Sequence, residues 1–487
     1  MAMHLESTLP PPAVPCAESF ASDVRSTATA RDAFPAPHPL TGRLRAGAVW
    51  VVLSRSLGIV VTVLANMALA RWLSPEAFGS YLLLSSVLAM GTLLATLGLN
   101  VAVIRFVSGS LGHGDVGGAR QALGQVFAVA AASIASVAAI AAAVLSYYGP
   151  TLVGVADTPG IVPLAVTSLV LLSVLQLLAE ACRSLHDLRF ASLFSGGQTG
   201  GLLSNVLFLM LIAAAIVVGQ PSLRAAIALN LLAMIVTLPL AVFGFVRVAR
   251  LQLAAPESRR SVSALRLRPL LAFSIPMLLI QLLAFTATNA DLWVAGIRCP
   301  HDQLALYGAA RRLMLIVTMP LQMVILTVIS SIPELQVQDR RGDLERVLRR
   351  ATTLAAVPSV GAIVLLIFCG GPILELLFGS FFRQAALPLA ILGVGQLFLV
   401  LAGTCGSALE MTGYQIGSLA INLMSAIAMV SLGSWAASHF GILGLAITSA
   451  SIVATQSVVL WLLAKLLVGV WTHPKLGLVF VTERSGP

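Results

Sequence analysis

Four charged side chains interrupt runs of sequence that are otherwise apolar: Arg55, Asp291, Arg311 and Arg312. A charged group in the middle of a membrane helix costs roughly 2.5–3.5 kcal/mol on insertion scales, so such groups face a bundle interior or a cavity. Guanidinium groups stay charged at any relevant pH and present planar pairs of N–H donors that match phosphate oxygens. The three arginines therefore predict a cationic cavity that suits a diphosphate.

Polar side chains at helical spacing extend this predicted cavity. Thr62 and Asn66 follow Arg55 on one helix face, and the internal repeat of the chain carries Arg55 onto Gln281 and Thr62 onto Thr288. Two alternatives stay open. In the first, Arg55 and Asp291 form an interior ion pair. In the second, one of Arg311 and Arg312 reaches the membrane interface by snorkelling. The predicted cavity residues are Arg55, Thr62, Asn66, Gln281, Thr288, Arg311 and Arg312.

A second candidate site has oxygen ligands for a coupling cation. One carboxylate together with neutral oxygens suits a hard cation such as Na⁺. Asn289, Asp291, Asn422 and Thr448 carry such groups. The candidate coupling ions are Na⁺ and H⁺, and we expect no resident metal and no cofactor.

Membrane-spanning helices must position these residues. Of the 487 residues, 58% are hydrophobic and 10% are charged, and the mean hydropathy is +0.97. A helix of about 20 apolar residues crosses the hydrocarbon layer and satisfies its own backbone hydrogen bonds. The sequence predicts an all-α polytopic membrane protein of about twelve spans. They are 47–70, 80–104, 121–148, 161–181, 191–218, 221–247, 269–297, 304–332, 351–377, 386–409, 415–437 and 442–468.

The net charge of +10 is distributed along the chain in short segments at helix ends, most densely in 247–268 and 340–350. This distribution argues against nucleic-acid binding and matches the excess of basic residues in cytoplasmic loops, so both termini are predicted to be cytoplasmic. The predicted domains are a disordered cytoplasmic tail (1–42), an N-lobe (43–250), a basic linker (251–268), a C-lobe (269–470) and a cytoplasmic C-terminal tail (471–487).

The two halves of the chain repeat one another. A shift of 225 or 226 residues lays Leu152-Val153-Gly154 on Leu377-Phe378-Gly379 and lays Tyr81 on Tyr307. Each predicted lobe has six spans, so the lobes share one orientation in the membrane. Such parallel repeats place a substrate site between the lobes, near the bilayer midplane.

Several chemistries are excluded by the residues present. Neither lysine, Lys465 or Lys475, follows a glycine, so the chain has no phosphate-binding P-loop. The five cysteines have no paired or metal-ligand spacing, and we find no catalytic motif. The sequence therefore predicts a transporter, not an enzyme, that is driven by an ion gradient, the membrane potential or the substrate's own gradient.

Two segments resemble the opening of polysaccharide-biosynthesis flippases: Leu53-Ser54-Arg55-Ser56-Leu57-Gly58, and Ala70 to Tyr81 with its Ala-Arg, Pro-Glu and Phe-Gly pairs. Asp291 and Tyr307-Gly308-Ala309-Ala310 are similar in the second half. The resemblance implies the multidrug/oligosaccharidyl-lipid/polysaccharide exporter superfamily, in which two six-helix lobes form a V that opens alternately to each side. Lipid II flippases have a second basic residue where this chain has Val61, and two further spans, so a lipid II flippase is disfavoured.

The resemblance implies a flippase that moves an undecaprenyl-diphosphate-linked oligosaccharide across the bacterial inner membrane for O-antigen, capsule or exopolysaccharide assembly. It also implies that spans seven, eleven and twelve hold the coupling ion. Expected partners are the lipid-linked oligosaccharide, the bilayer, and the polysaccharide polymerase and export machinery. Two alternatives remain: a cation-coupled multidrug exporter of the same fold, which favours acidic cavity residues, and a membrane glycan polymerase or ligase, which needs a periplasmic catalytic loop.

Overall fold

The computed structural model describes residues 40–112, 114–153, 158–194, 201–253, 267–328, 332 and 341–475. The chain separates into two units, Met1–Gly47 and Ala48–Pro487. In the first unit the described residues, 40–47, are helical. The predicted disordered tail therefore overlaps a helix that begins at Leu40. The rest of the described structure belongs to the second unit.

Most of the described residues are helical, and short turns separate their helices. The α-helices are α1 (Leu40–Trp72), α2 (Pro75–Thr96), α3 (Leu99–Gly112), α4 (Val116–Val153), α5 (Thr158–Ser184), α6 (Leu188–Phe194), α7 (Leu202–Val218), α8 (Leu223–Gln252), α9 (Leu267–Arg298), α10 (His301–Val328), α11 (Arg341–Phe378), α12 (Ala386–Ala402), α13 (Cys405–Met411) and α14 (Gln415–Leu463). A 3₁₀ turn (Ser380–Ala385) precedes α12, and a π-helical turn (Ala464–Val468) follows α14.

Within the described residues, ten helical segments are long and apolar enough to cross a membrane. One of them, 415–468, holds two of the predicted spans. The predicted span 191–218 corresponds to α6 and α7, of which α7 alone is a shorter apolar helix. With α14 divided and α7 included, the described helices account for the predicted spans. The fold class is confirmed: this is an all-α polytopic membrane protein.

Helix α14 turns back on itself. Gly441 has non-helical backbone angles (φ 60°, ψ −147°) in the left-handed half of the Ramachandran plot, which glycine adopts without the strain of a side chain. Gln456 Nε2 donates to Asn422 Oδ1 at 2.6 Å. In a straight helix these 34 residues would be separated by about 50 Å. The two arms of α14, 415–440 and 442–463, are therefore an antiparallel pair, as the predicted spans 415–437 and 442–468 require.

The predicted span 80–104 is broken where it approaches α9. Leu97 and Gly98 both have positive φ and separate α2 from α3. A Cβ atom at Gly98 would lie 2.2 Å from the Ser274 carbonyl oxygen, so only a glycine permits this contact. α2 packs against α9 and α10, α3 packs against α9, and these contacts are the main connection between α1–α8, the N-half, and α9–α14, the C-half.

The internal repeat is visible in helix lengths. α4 and α11 each contain 38 residues, and their first residues, Val116 and Arg341, are separated by the 225 residues predicted from the sequence. The last residues of the two helices, Val153 and Phe378, are separated by the same 225 residues. The repeat inferred from scattered residue matches therefore corresponds to equivalent structural elements.

Residues 469–475, the C-terminal segment, fold back onto the C-half. Trp471 N donates to Glu345 Oε2 at 3.2 Å, and Thr472 Oγ1 donates to the Ala402 carbonyl at 2.7 Å. The Trp471 ring lies 4.7 Å from that of Trp461. Residues 471–475, assigned to the tail from the sequence, therefore join the ends of α11, α12 and α14, whereas 476–487 lie outside the described residues.

His473 makes this attachment sensitive to pH. An Arg349 Nη2–H donates to His473 Nε2 at 2.8 Å, and because arginine only donates, the imidazole is neutral with its proton on Nδ1. Burial lowers the pKa of His473 below its ordinary value of 6.5, the Arg349 charge lowers it further, and the Glu345 carboxylate opposes the shift. A base whose pKa is lowered in the packed state favours packing above its free pKa and disfavours it below.

We therefore expect the C-terminal segment to loosen as the pH falls below about 6.5. Hydrogen exchange of the amides of residues 469–475, corrected for intrinsic rates, measures this as a several-fold loss of protection between about pH 7.5 and 5.5. A His473→Asn variant keeps an acceptor for Arg349 but does not titrate, so its protection should be flat over that range. An equal loss of protection in this variant would show that another group is responsible.

Candidate functional site

A cavity of about 500 Å³ lies within the C-half and reaches α2. It is lined by α9, α10, α12 and both arms of α14. Its volume falls within the range of small-molecule binding sites, roughly 300–1,000 Å³. The ionisable and polar lining residues are Thr288, Asn289, Asp291, Arg311, Arg312, Thr318, Gln322, Gln396, Asn422, Ser425, Ser449, Gln456 and Ser457.

Asp291 and Arg311 form an ion pair in the wall of this cavity. Only Cys299 and Pro300 separate α9 from α10, so the two helices run antiparallel and residues at similar distances from the turn face one another. Arg311 Nε lies 3.1 Å from Asp291 Oδ2, and the two side chains are 24% and 12% exposed. Tyr307 Oη donates to the same Asp291 oxygen at 2.8 Å, and Leu292 N donates to the other.

Arg311 is also held by α9 through other groups. One of its N–H groups donates to the Thr288 carbonyl oxygen, and Asn289 Oδ1 accepts from the guanidinium at 3.4 Å. The predicted cavity residues Thr288 and Arg311 and the predicted ion-site residues Asn289 and Asp291 are thus one cluster. In this arrangement the guanidinium already neutralises the carboxylate that a coupling cation would use.

Arg312 lies between two cavities. It lines the C-half cavity and also a smaller one of about 70 Å³ in the N-half. Within the described part of the chain its guanidinium has no carboxylate within ion-pair distance, whereas Asp291 is engaged by Arg311. Two arginines and one aspartate give the ionisable lining of the larger cavity a net charge of +1.

The N-half cavity contains the polar residues predicted on α1. Thr62 and Asn66 line it, and Asn205 Nδ2 of α7 donates to Thr62 Oγ1 at 3.2 Å. The fully buried Tyr307 near Asp291 has its repeat counterpart in Tyr81, which is buried and lines this smaller cavity. The two halves therefore have related polar sites, and the ion pair is confined to the C-half site.

Three predicted site residues lie elsewhere. Gln281 exchanges hydrogen bonds with Asn100 of α3, at 2.8 and 3.2 Å, and so joins the two halves. Thr448 donates to the Gly444 carbonyl of its own helix, and its neighbour Ser449 lines the cavity instead. Arg55 is exposed on α1 and lines neither cavity.

The alternative pairing of Arg55 with Asp291 is wrong, because the turn between α9 and α10 presents Arg311 to that carboxylate. Arg55 lies instead within electrostatic range of Arg183 and Glu180 of α5. Those two residues form a salt bridge of 2.7 Å with each other. The position of Arg55 keeps it outside the ion-pair cluster.

Seven polar lining residues of the larger cavity were not predicted from the sequence: Thr318, Gln322, Gln396, Ser425, Ser449, Gln456 and Ser457. Each is a neutral polar residue in an apolar span, and that was the only available signal. Neutral polar residues are common at helix contacts in membranes, so their type alone does not separate a cavity wall from a helix interface.

The turn between α1 and α2, which is one of the segments that carried the family resemblance, has a structural role. Ser74 Oγ accepts from Ala77 N and caps α2, and Pro75 occupies its first turn. Arg71 donates to the carbonyl oxygens of Leu376 and Leu377 at the end of α11. These contacts hold the α1–α2 turn against α11, so Arg71, Ser74 and Pro75 stabilise the fold.

Solved structures share this fold at low sequence identity. An inward-facing multidrug resistance MATE family transporter of the MOP superfamily matches with a TM-score of 0.63 and 16% identity, over 89% of this chain and 100% of that chain. The lipid II flippase MurJ in an inward closed conformation matches with a TM-score of 0.64 and 14% identity, over 86% and 87%. A MOP superfamily transporter from Pyrococcus furiosus Vc1 (DSM3638) matches with a TM-score of 0.61 and 16% identity, over 87% of this chain and 95% of that chain.

The helices and their cavities thus define a protein with the fold of the MOP superfamily transporters. No curated protein matches the chain in sequence. The sequence profile described as polysaccharide biosynthesis protein matches residues 68–387. The chain belongs to that family, which confirms the resemblance drawn from the residue motifs.

Proposed function

We propose that this protein is a flippase that moves a polyprenyl-diphosphate-linked oligosaccharide across the bacterial inner membrane for surface polysaccharide assembly. The observation that carries the proposal is Arg312, a guanidinium that lines both cavities and has no carboxylate partner among the described residues. A diphosphate supplies the negative charge that such a group lacks, through paired hydrogen bonds. The lipid part of the cargo contacts the bilayer. After translocation, the polymerase and export machinery receive the cargo.

The charge of the larger cavity favours this cargo over a lipophilic cation. Its ionisable lining residues carry a net charge of +1, which repels a cationic drug and attracts an anion. One protein of similar fold is described as having a binding pocket of reverse polarity that suggests a different function. Within this fold, pocket charge is therefore a feature on which cargo class can depend.

Reconstituted vesicles test the proposal directly. The purified protein is placed in vesicles that contain a fluorescent polyprenyl-diphosphate oligosaccharide, and an impermeant reductant bleaches the label in the outer leaflet. We expect the protein to make nearly all of the label accessible, and to leave an internalised lipophilic cation in place. Export of the cation without movement of the lipid-linked oligosaccharide would assign the chain to multidrug transport instead.

Coupling to Na⁺ or H⁺ is proposed at Asp291, the carboxylate of the larger cavity. A cation at this position must replace the Arg311 guanidinium, which lies 3.1 Å away. Such an exchange would free Arg311 to bind an anion. Ion binding and cargo binding would then be linked through a single side chain.

Membrane orientation is proposed from the basic segments, with both termini in the cytoplasm. Reporter fusions after Arg260 and after Arg346 should both report the cytoplasm, because the surrounding segments carry the densest basic charge. A fusion after Arg298, at the other end of α9, should report the periplasm. A periplasmic signal at either of the first two positions would contradict the parallel arrangement of the lobes.

Arg55 is proposed to attract the diphosphate before it reaches Arg312. It is exposed on α1, and Thr62 of the N-half cavity follows it by about 10 Å along the helix axis. Arg55→Ala should lower the rate of translocation several-fold, and Arg55→Lys should restore part of it, because an ammonium keeps the charge but loses the planar donor pair. Arg247→Ala, an exposed arginine on α8, serves as the matched control. A full rate in Arg55→Ala would remove this residue from the pathway.

A further inference from the structure

The lining of the larger cavity contains two chemically different groups of residues. One group, which we name the ionic end, contains Asp291, Arg311 and Arg312. The lining also contains four carboxamides, Gln322, Gln396, Asn422 and Gln456, and we name this group the amide end. Along α10, Arg311 and Gln322 are eleven residues apart, which corresponds to about 16 Å. An elongated ligand with an anionic group and a neutral polar group would contact both ends.

The four amides come from α10, α12 and the two arms of α14. A carboxamide in an apolar surrounding is costly unless it is hydrogen-bonded. Gln456 and Asn422 satisfy part of each other's hydrogen-bonding capacity, and such a pair by itself would hold the arms of α14 together. This explanation does not extend to Gln396, whose Oε1 is buried and has no hydrogen-bond partner among the described residues.

The amide end also has hydroxyl groups and lacks charge. Thr318, Ser425 and Ser457 line the same cavity within four residues of an amide along their helices, and Thr318 and Ser457 already donate to carbonyl oxygens of their own helices. Carboxamides and hydroxyls donate and accept hydrogen bonds at once, as sugar hydroxyls do. A carboxylate-bearing sugar would find no cation there and would lose its solvation without compensation.

We propose that the amide end is a saccharide site that binds uncharged sugars, while the ionic end holds the diphosphate. This inference rests on the proposed function, and it names the class of glycan that the same cavity accepts. Gln396 and Gln322 are specificity-determining residues in this scheme, because Gln396 Oε1 has no hydrogen-bond partner within the described structure and the exposed Gln322 side chain lines the cavity.

Translocation of three lipids in vesicles tests the proposal. They are a polyprenyl diphosphate without sugar, the same lipid with a neutral trisaccharide, and the same lipid with one hexose replaced by a uronic acid. The wild-type protein should move the neutral form about tenfold faster than the acidic form. Gln396→Met and Gln322→Met should each slow the neutral form about fivefold and leave the sugar-free lipid unchanged, since each substitution removes hydrogen bonds to the glycan alone.

Gln415→Met is the matched control, because Gln415 is an exposed glutamine at the start of α14 that does not line the cavity. Equal melting temperatures of the variants show that the fold is intact. If the wild-type protein moves all three lipids at one rate and the variants match it, the saccharide site is refuted while the flippase function stands.

A binding measurement covers the remaining outcome, in which no lipid is moved and the proposed function itself fails. Saturation-transfer spectra are recorded for soluble neutral oligosaccharides of gluco, galacto, manno and N-acetylglucosamine type. Signals that appear with the wild-type protein and the Gln415→Met control but not with Gln396→Met would support a saccharide site without transport. The absence of signal for every oligosaccharide would overturn the proposal.

Discussion

Replacing Arg312 by methionine should reduce translocation of a polyprenyl-diphosphate oligosaccharide by about ten- to a hundredfold. A hydrogen bond to a charged group contributes about 1.5–3 kcal/mol, and each 1.4 kcal/mol is a factor of ten. Arg312 is the cavity arginine that no carboxylate engages among the described residues, so its charge is available to the cargo. Arg312→Lys should recover only part of the rate, because a diphosphate then loses one of two parallel donors.

Two controls separate a binding role from a structural one. Methionine nearly preserves the side-chain volume, and removal of a half-buried charge that has no carboxylate partner among the described residues should leave the melting temperature unchanged or higher. Arg298→Met changes an exposed arginine that lies outside both cavities, and it should transport at the wild-type rate. A folded Arg312→Met protein with a normal rate would show that the diphosphate is recognised elsewhere.

Removing either member of the Asp291–Arg311 pair alone should destabilise the protein by about 3–5 kcal/mol, because the remaining charge is then buried without its partner. Arg311 is 24% and Asp291 12% exposed, so water compensates little for the loss. The double variant Asp291→Ala with Arg311→Met should recover most of this free energy, since no unpaired charge remains. Thermal unfolding of the two single variants and the double variant measures the coupling.

The pair of Asp343 and Arg346 is a matched control on the surface. Its charged atoms are 2.9 Å apart, but the arginine side chain is 67% exposed. Removing one partner there should change stability by no more than about 1 kcal/mol. Asp291→Asn, which keeps a polar partner for Arg311, should in addition lose any stimulation of transport by Na⁺ or H⁺. Additive losses in the double variant would contradict the assignment of Arg311 as the partner of Asp291.

The residue types of the site could be predicted from the sequence to a useful extent. Arg311, Arg312, Thr288, Asn289 and Asp291 were selected because polar groups in apolar spans are costly. All five line the larger cavity. Their assignment to separate cargo and ion sites did not anticipate that Arg311 joins them into one cluster, because the closeness of residues 291 and 311 depends on the turn between α9 and α10.

Neutral residues were predicted less well than charged ones. Gln281 was expected in the cavity and instead pairs with Asn100, whereas Gln396 and Gln456 line the cavity and were not selected. A carboxamide has nearly the same tendency to face a helix neighbour as to face a cavity. Its role therefore depends on which helix lies opposite, and a single span carries no information about that.

The sequence by itself determined the helical class, the positions of most spans and the repeat, because hydrophobic length and the spacing of apolar residues are properties of each segment alone. The equal lengths of α4 and α11 and the hairpin of α14 agree with those predictions. Only the tertiary structure decided that Asp291 pairs with Arg311 and not Arg55, and that Arg312 is left for a ligand. The partner of a buried charge is set by the packing of helices from distant segments. The free energy of the pairing therefore cannot be read from the sequence of any one segment.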